Sequence, residues 1–272
     1  MHKETTIVQQ ADPIIDNDDA PVGRVLSRRE VLALFGATSA VTLLSACIPL
    51  APNGGPGGAA AGSSDVATVA TTDAALPTGC VVRPALTEGP LFVEEDLNRS
   101  DIRLDPTNGQ VSEGVQLDLT FLITKLDNAA CIPLAGVQVD VWHCDADGIY
   151  SDTNQLGFQT VGQKFLRGYQ VTDESGIVKF TTIYPGWYEG RTVHIHFKMR
   201  TSDGYDFTSQ LFFDDAFTDE VFADAPYNTR GERNLRNDND GIYGQSGGQM
   251  LLTVNKMDTG YAATFDVALD LS

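Results

Sequence analysis

With 37 Asp and Glu against 18 Lys and Arg, this 272-residue chain carries a formal charge of −19. That balance excludes a basic nucleic-acid footprint and attachment to anionic lipid through a positive patch. The four cysteines show no paired zinc-like spacing, which excludes a closed structural zinc module.

The first predicted element is an export signal over residues 1–47. Ser27-Arg28-Arg29-Glu30-Val31-Leu32 has the twin-arginine pattern. The apolar run from Val31 to Ala46 is too short, and too rich in Gly, Ser and Thr, to read as a membrane span. It ends in the lipobox-like Leu44-Ser45-Ala46-Cys47, which makes Cys47 the candidate lipidated N-terminus of a membrane-anchored, extracytoplasmic protein. An ordinary cysteine beside an Ala-x-Ala-type peptidase site is the alternative. Residues 48–78 are a Gly/Ala/Thr/Ser/Pro tract with little to bury, read as a flexible tether.

Residues 79–272 are long enough for one domain with a substantial core. Val115–Thr124 alternates Val115, Leu117, Leu119, Phe121 and Ile123 with a more polar face, the period of a half-buried strand. A second strand, Val137–His143, follows a Pro/Gly-containing turn. Gly168–Thr172 and Ile177–Ile183 flank Asp173-Glu174-Ser175-Gly176, a hairpin signal. Strands over Thr192–Met199, Phe207–Phe213, Gln249–Asn255 and Tyr261–Leu269 complete the set, with one short helical turn around Thr218–Ala223. Many short strands separated by turn residues predict an all-β fold, an antiparallel β-sandwich with long loops. Outside the cytoplasm a disulfide is permitted. Cys80 and Cys131, both at segment entrances, are the expected pair, leaving Cys144 a buried free thiol.

Two segments hold most of the reactive side chains: WHCDADGIY at Trp142–Tyr150 and TIYPGWYEGRTVHIHF at Thr182–Phe197. Residues two apart on a strand share a face, so Val193, Ile195 and Phe197 turned to a core leave His194 and His196 together on the other side. Paired neutral imidazoles are common metal ligands, although a lone His-x-His is more often an ordinary strand. Here candidate tyrosines and an arginine stand close by, and phenolate with imidazole on one metal suits a ferric ion. His143 continues the Val137, Val139, Val141 face and reads as a packed histidine rather than a ligand. Asp145 and Asp147 read as turn formers before Gly148, and Asp214-Asp215 as a solvated loop.

An ordered series of motifs runs from about Cys80 to Gln210: Thr87-Glu88-Gly89-Pro90, Pro133-Leu134-Ala135-Gly136, Trp142 with Gly148-x-Tyr150, Pro185-x-x-Tyr188, Arg191-x-x-His194-x-His196, and Gln210. The series resembles the intradiol ring-cleavage dioxygenases, the catechol and protocatechuate dioxygenase family. The resemblance implies a non-haem Fe(III) centre with Tyr150, Tyr188, His194 and His196 as ligands. It implies O2-dependent cleavage of a catechol-type ring between its two hydroxylated carbons, giving a cis,cis-muconate-type product, with a small aromatic diol and O2 as partners. It also implies that Tyr188 serves as a general base, that Arg191 stabilises negative charge on the ring, and that Gln210 lies near the substrate. Tyr184 competes for the second tyrosine position. Tyr188 is preferred because the family's ligand stands three residues after the proline of a Pro-x-x-Tyr turn, which makes Tyr184 and Trp187 pocket or core aromatics. The Tyr188–His194 loop is shorter than in the family's aromatic-degrading members, and a more open site that admits bulky catechols is the expectation. Two other classes compete: a non-catalytic cell-surface sandwich module, and a cupin-like oxygenase built on His-x-His, which would want a carboxylate that HIHFKMRTSDG does not supply.

Overall fold

In a computed structural model, residues 81–127 and 130–271 are described. The twin-arginine pattern, Cys47, the tether and Cys80 lie outside these residues. Among the described residues nine strands form two sheets: β1 Gln116–Asp127, β2 Ala130–Pro133, β3 Gln138–Trp142, β4 Arg167–Val171, β5 Ile177–Ile183, β6 His194–Arg200, β7 Asp206–Phe212, β8 Val254–Lys256 and β9 Tyr261–Leu269. Two short helices, α1 Asp215–Phe222 and α2 Gly241–Ser246, fall between β7 and β8.

The first sheet is organised on β1. One edge pairs antiparallel with β5 over residues 116–122 and with β2 over residues 124–127, and the other edge pairs with β9. The β1–β9 ladder is parallel, a departure within an otherwise antiparallel arrangement. The second sheet runs β4-β3-β6-β7 and is antiparallel throughout. Alternation explains the interior: Leu117, Leu119, Phe121 and Ile123 of β1 are buried against Ile195, Phe197 and Met199 of β6 and Phe265 of β9. Phe121 and Phe197 meet between the sheets with ring centroids 5.1 Å apart. His143 bridges the same gap, its two ring nitrogens hydrogen-bonded to the Cys144 carbonyl and to Thr182 Oγ1, each at 2.7 Å. Burial, only partly opposed by the Cys144 carbonyl, lowers its pKa to about 4. It is therefore a neutral, satisfied core histidine, as the valine face predicts.

Three readings differ from the structure. β2 ends on Pro133 and so takes the start of what reads as the Pro/Gly-containing turn before Val137. The strand expected over 249–255 shrinks to β8, with Leu251 in an isolated bridge to Phe212. Asp214 is exposed as expected, but Asp214-Asp215 is not loop: the Asp214 carboxylate accepts from Phe217 N at 2.9 Å and caps α1, which Asp215 begins. Cys131 is disulfide-bonded and Cys144 is a buried free thiol; Cys80, the partner expected for Cys131, lies outside the described residues.

Candidate metal centre

The ladder of the second sheet sets the site. Arg167 of β4 stands opposite Trp142 of β3, Trp142 opposite His196 of β6, and His196 opposite Gln210 of β7. Directly paired residues share a sheet face, so these four side chains form one row across four strands. Trp142 lies flat on the His196 ring, centroids 4.9 Å apart with planes 10° from parallel. The neighbouring β6 residues on this face are His194 and Lys198, while Val193, Ile195 and Phe197 belong to the core. The expected division of the strand is what the structure shows.

Two loops bring the tyrosines to this row. The 143–150 loop is shaped by Asp145, whose Oδ1 accepts from Asp147 N and Ile149 N, both at 2.9 Å. The 184–190 loop lies directly upon it. Gly186 N donates to Asp145 O at 3.0 Å, and a β-carbon on Gly186 would stand 2.3 Å from Ala146 O. Glycine is required there for packing. Tyr150, wholly buried, and Tyr188, partly exposed, thus reach His194 from separate loops. Each hydroxyl lies 3.4 Å from His194 Nε2, and His196 Nε2 lies 3.0 Å from the same atom. Tyr184 points elsewhere, into the core, where its hydroxyl bonds Thr218 Oγ1 at 2.7 Å.

This donor set fits a metal ion. His194 Nδ1 bonds the Thr192 carbonyl at 2.7 Å; it must donate there, which leaves a single lone pair on Nε2. That lone pair faces four neighbours: Tyr150 Oη, Tyr188 Oη, His196 Nε2 and, at 3.5 Å, Arg191 Nη1. His196 Nδ1 is buried without a partner, so no protonation state of the protein alone satisfies both rings. A cation among the four donors would take up both Nε2 lone pairs and both hydroxyl oxygens, leaving only His196 Nδ1 unpartnered, and edges of 3.0–3.4 Å suit bonds of about 2 Å to nitrogen. Burial, reinforced by the Arg191 charge, pushes both histidine pKa values well below their ordinary range, so both are neutral and able to ligate. Burial also raises the phenols, Tyr188 to about 12 and Tyr150 well above the ordinary tyrosine value. A positive charge is thus needed to make phenolates of them. Among the described residues no group of three or more His, Cys, Asp or Glu could hold a metal, so a metal here depends on the tyrosines.

Arg191 and Gln210 meet at the rim. Arg191 Nη2 donates to Gln210 Oε1 at 2.6 Å, and Gln210 Nε2 donates to Thr87 O at 2.9 Å. The Thr87–Pro90 segment crosses the site here, and a β-carbon on Gly89 would lie 3.7 Å from His196 Cε1. Lys198 Nζ pairs with Glu88 at 2.9 Å and holds that segment down. Leu91, Phe92 and Phe158 pack with Trp142, Tyr150 and Tyr188 into a small apolar cluster that keeps water from the tyrosine side.

Sequence reasoning overlooked Asp240 and Arg167. Asp240 receives Arg191 Nε at 2.9 Å. Burial raises its pKa, but the Arg191 charge and the Thr192 and Tyr243 amides outweigh burial and hold it below the ordinary carboxylate value. Its one signal was an Asp preceding Gly-Ile-Tyr in a helix-start position. Arg167 is buried and bonds Ser151 O and Oγ beside Tyr150, at 2.7 and 2.9 Å; only the strand register could have revealed it.

Comparison with known proteins bears on the family and the fold. A family model described as Dioxygenase matches residues 87–269. An intradiol ring-cleavage dioxygenase of Tetranychus urticae is similar in structure, with TM-score 0.62 and 30% identity, over 70% of this chain and 95% of that one. The dioxygenase domain of a dioxygenase–carbohydrate-binding fusion from Streptomyces sp. SirexAA-E gives TM-score 0.50 and 26% identity, over 71% of this chain and all of that one. Chlorocatechol 1,2-dioxygenase of Pseudomonas putida is 31% identical over 100 residues, 30% of this chain and 36% of the relative, so the match spans about a third of that relative's length. With the family model covering most of the described residues and a solved relative matched almost end to end, this chain belongs to the intradiol ring-cleavage dioxygenase family.

Proposed function

We propose that this protein is a non-haem Fe(III) dioxygenase that opens a catechol-type ring between its two hydroxylated carbons and yields a cis,cis-muconate-type product. The observation that carries this reading is the convergence of two tyrosine hydroxyls and the His196 nitrogen on His194 Nε2, beside an arginine. Tyr150, Tyr188, His194 and His196 would hold the iron. When bound, ferric iron supplies the Lewis acidity that anchors both diol oxygens and the electron-accepting character that makes the ring reactive toward O2.

The chain's own groups do the rest. Tyr188, less buried than Tyr150, is the side chain with room to move, and its Oη, held as phenolate when the metal is bound, would take a proton from the incoming diol as general base. Arg191 Nη1 remains directed at the site and stabilises negative charge that builds on the ring, a task suited to a guanidinium that stays protonated. Gln210, pinned between Thr87 and Arg191, orients the arginine and faces the substrate.

Export by the twin-arginine route and anchoring through a lipidated Cys47 belong to the same proposal. Among the described residues no helix is long and apolar enough to cross a membrane, so anchoring in this reading depends on the lipid.

Visible spectroscopy tests the central reading. The purified, iron-bearing protein should be red to purple from phenolate-to-iron charge transfer, and anaerobic catechol should shift the band. Oxygen should then convert catechol to a muconate identified by NMR. A colourless, iron-replete protein that leaves catechol intact would rule the proposal out.

A further inference from the structure

Asp240 stands where two structures meet. Its side chain is 1% exposed and accepts four N–H groups. Oδ1 takes Ile242 N at 2.8 Å and Tyr243 N at 3.0 Å, capping α2. Oδ2 takes Thr192 N and Arg191 Nε, both at 2.9 Å. A carboxylate offers about four lone-pair sites, so none is left over. The support behind it is continuous: Thr192 Oγ1 bonds Asn237 Oδ1, and Asn237 Nδ2 donates to Phe213 O, each at 2.7 Å.

We infer that Asp240 is the positioning residue for Arg191, fixing the plane of its guanidinium so that Nη1 alone is left to face the site. The inference rests on the proposed role of Arg191. An arginine side chain is long and loses considerable rotamer freedom when it is held in one place. Here Nε is tied to Asp240 and Nη2 to Gln210. Two anchors on a planar fork leave the third nitrogen one direction, and that direction ends 3.5 Å from His194 Nε2. With Asp240 removed, Gln210 is a single pivot about which the plane can swing. Small misplacements of such a group cost about a hundredfold in rate. The same carboxylate couples α2 to the site, although no residue of α2 belongs to the ligand or rim set.

The rival view is that Asp240 is a helix cap and nothing more, and two variants separate the views. Asp240→Ser keeps a capping oxygen but is too short to reach Arg191, whereas Asp240→Asn keeps the shape and the cap but loses the charge. Iron-loaded wild type, both variants, Arg191→Leu and the Asp240→Ser/Arg191→Leu double variant are compared for kcat, KM and resting visible band. Positioning predicts a roughly 10- to 100-fold lower kcat in Asp240→Ser, a KM and visible band close to wild type, and a double variant no slower than Arg191→Leu alone. Metal-free protein gives a second readout. The Arg191 Nε–H resonance, slow to exchange in 15N-labelled wild type, should broaden or vanish in Asp240→Asn and Asp240→Ser.

An Asp240→Ser protein with full kcat beside an impaired Arg191→Leu protein would overturn the inference while leaving the proposed function standing, as would losses that simply multiply in the double variant. If wild type turned over no catechol, the proposed function would fall, and the Nε–H resonance would still decide whether Asp240 holds the arginine.

Discussion

Tyr150, Tyr184 and Tyr188 are phenols with raised pKa values, and burial, complete for the first two and partial for Tyr188, is the main cause in each. What separates them is the partner. Tyr184 has a neutral hydroxyl to bond, while the other two share one imidazole nitrogen. Replacing Tyr150 or Tyr188 by Phe should therefore bleach or shift the visible band. Tyr184→Phe should leave the band intact and lower stability by about 1 kcal/mol for a lost buried hydrogen bond, measured by denaturant unfolding. A Tyr184→Phe protein without colour would reverse the ligand assignment. Asp145 gives a pH-dependent prediction. Burial raises its pKa to about 6, so the folded state binds its proton more tightly than the unfolded state does. Stability from this group accordingly falls as pH rises from about 4 through 6, and the full penalty is present at pH 7. Asp145→Asn keeps the oxygen that accepts the two turn amides and removes the charge. It should raise stability at pH 7 by roughly 1–3 kcal/mol, with the gain vanishing below about pH 4; a variant less stable than wild type at pH 7 would contradict this.

Between elements, the decisive contact is that of the two tyrosine-bearing loops. Gly186 lies against the Asp145–Ala146 backbone, and Arg230 stacks on Trp187 at 4.6 Å to hold the second loop from outside. Gly186→Ala should push the loops apart, costing about 1–3 kcal/mol by overpacking, and should alter the visible band because Tyr188 moves relative to Tyr150. An unchanged melting temperature and spectrum would show that the loops tolerate separation. This level also marks where sequence reading stops. The first strand was legible because its residues alternate between half-buried and buried over 116–123, and the division of β6 followed from Val193, Ile195 and Phe197 alone. The tyrosine and histidine set was legible through the ordered motifs. Asp240 was not, since a six-residue helix shows no period and Asn-Asp-Asn-Asp-Gly looks like solvated loop. Asp214-Asp215 was read as loop for a similar reason, because the helix it opens is only eight residues long. Nor could spacing place Arg167 beside Trp142, because that depends on which strands are neighbours.

Across the whole molecule, the four donors are held by a sheet and two mutually packed loops that owe nothing to an ion for their hydrogen bonds. Metal removal should then leave the fold standing. Chelation should abolish colour and turnover but preserve far-UV circular dichroism and a cooperative melt. The melting temperature should drop by the mass-action contribution of the lost ligand and recover when iron is restored. Collapse of the far-UV signal on chelation would mean that the ion builds the site rather than fills it.

The alternation along β6 has one last implication. Sliding that strand by a single position would exchange its two sides, sending both imidazoles into the hydrocarbon interior and presenting valine, isoleucine and phenylalanine to the tyrosines. No partly correct version exists between those extremes. Retention of a bound ion by these rings would thus report that the strand had seated properly, and the pigment of the finished protein would double as proof of correct assembly.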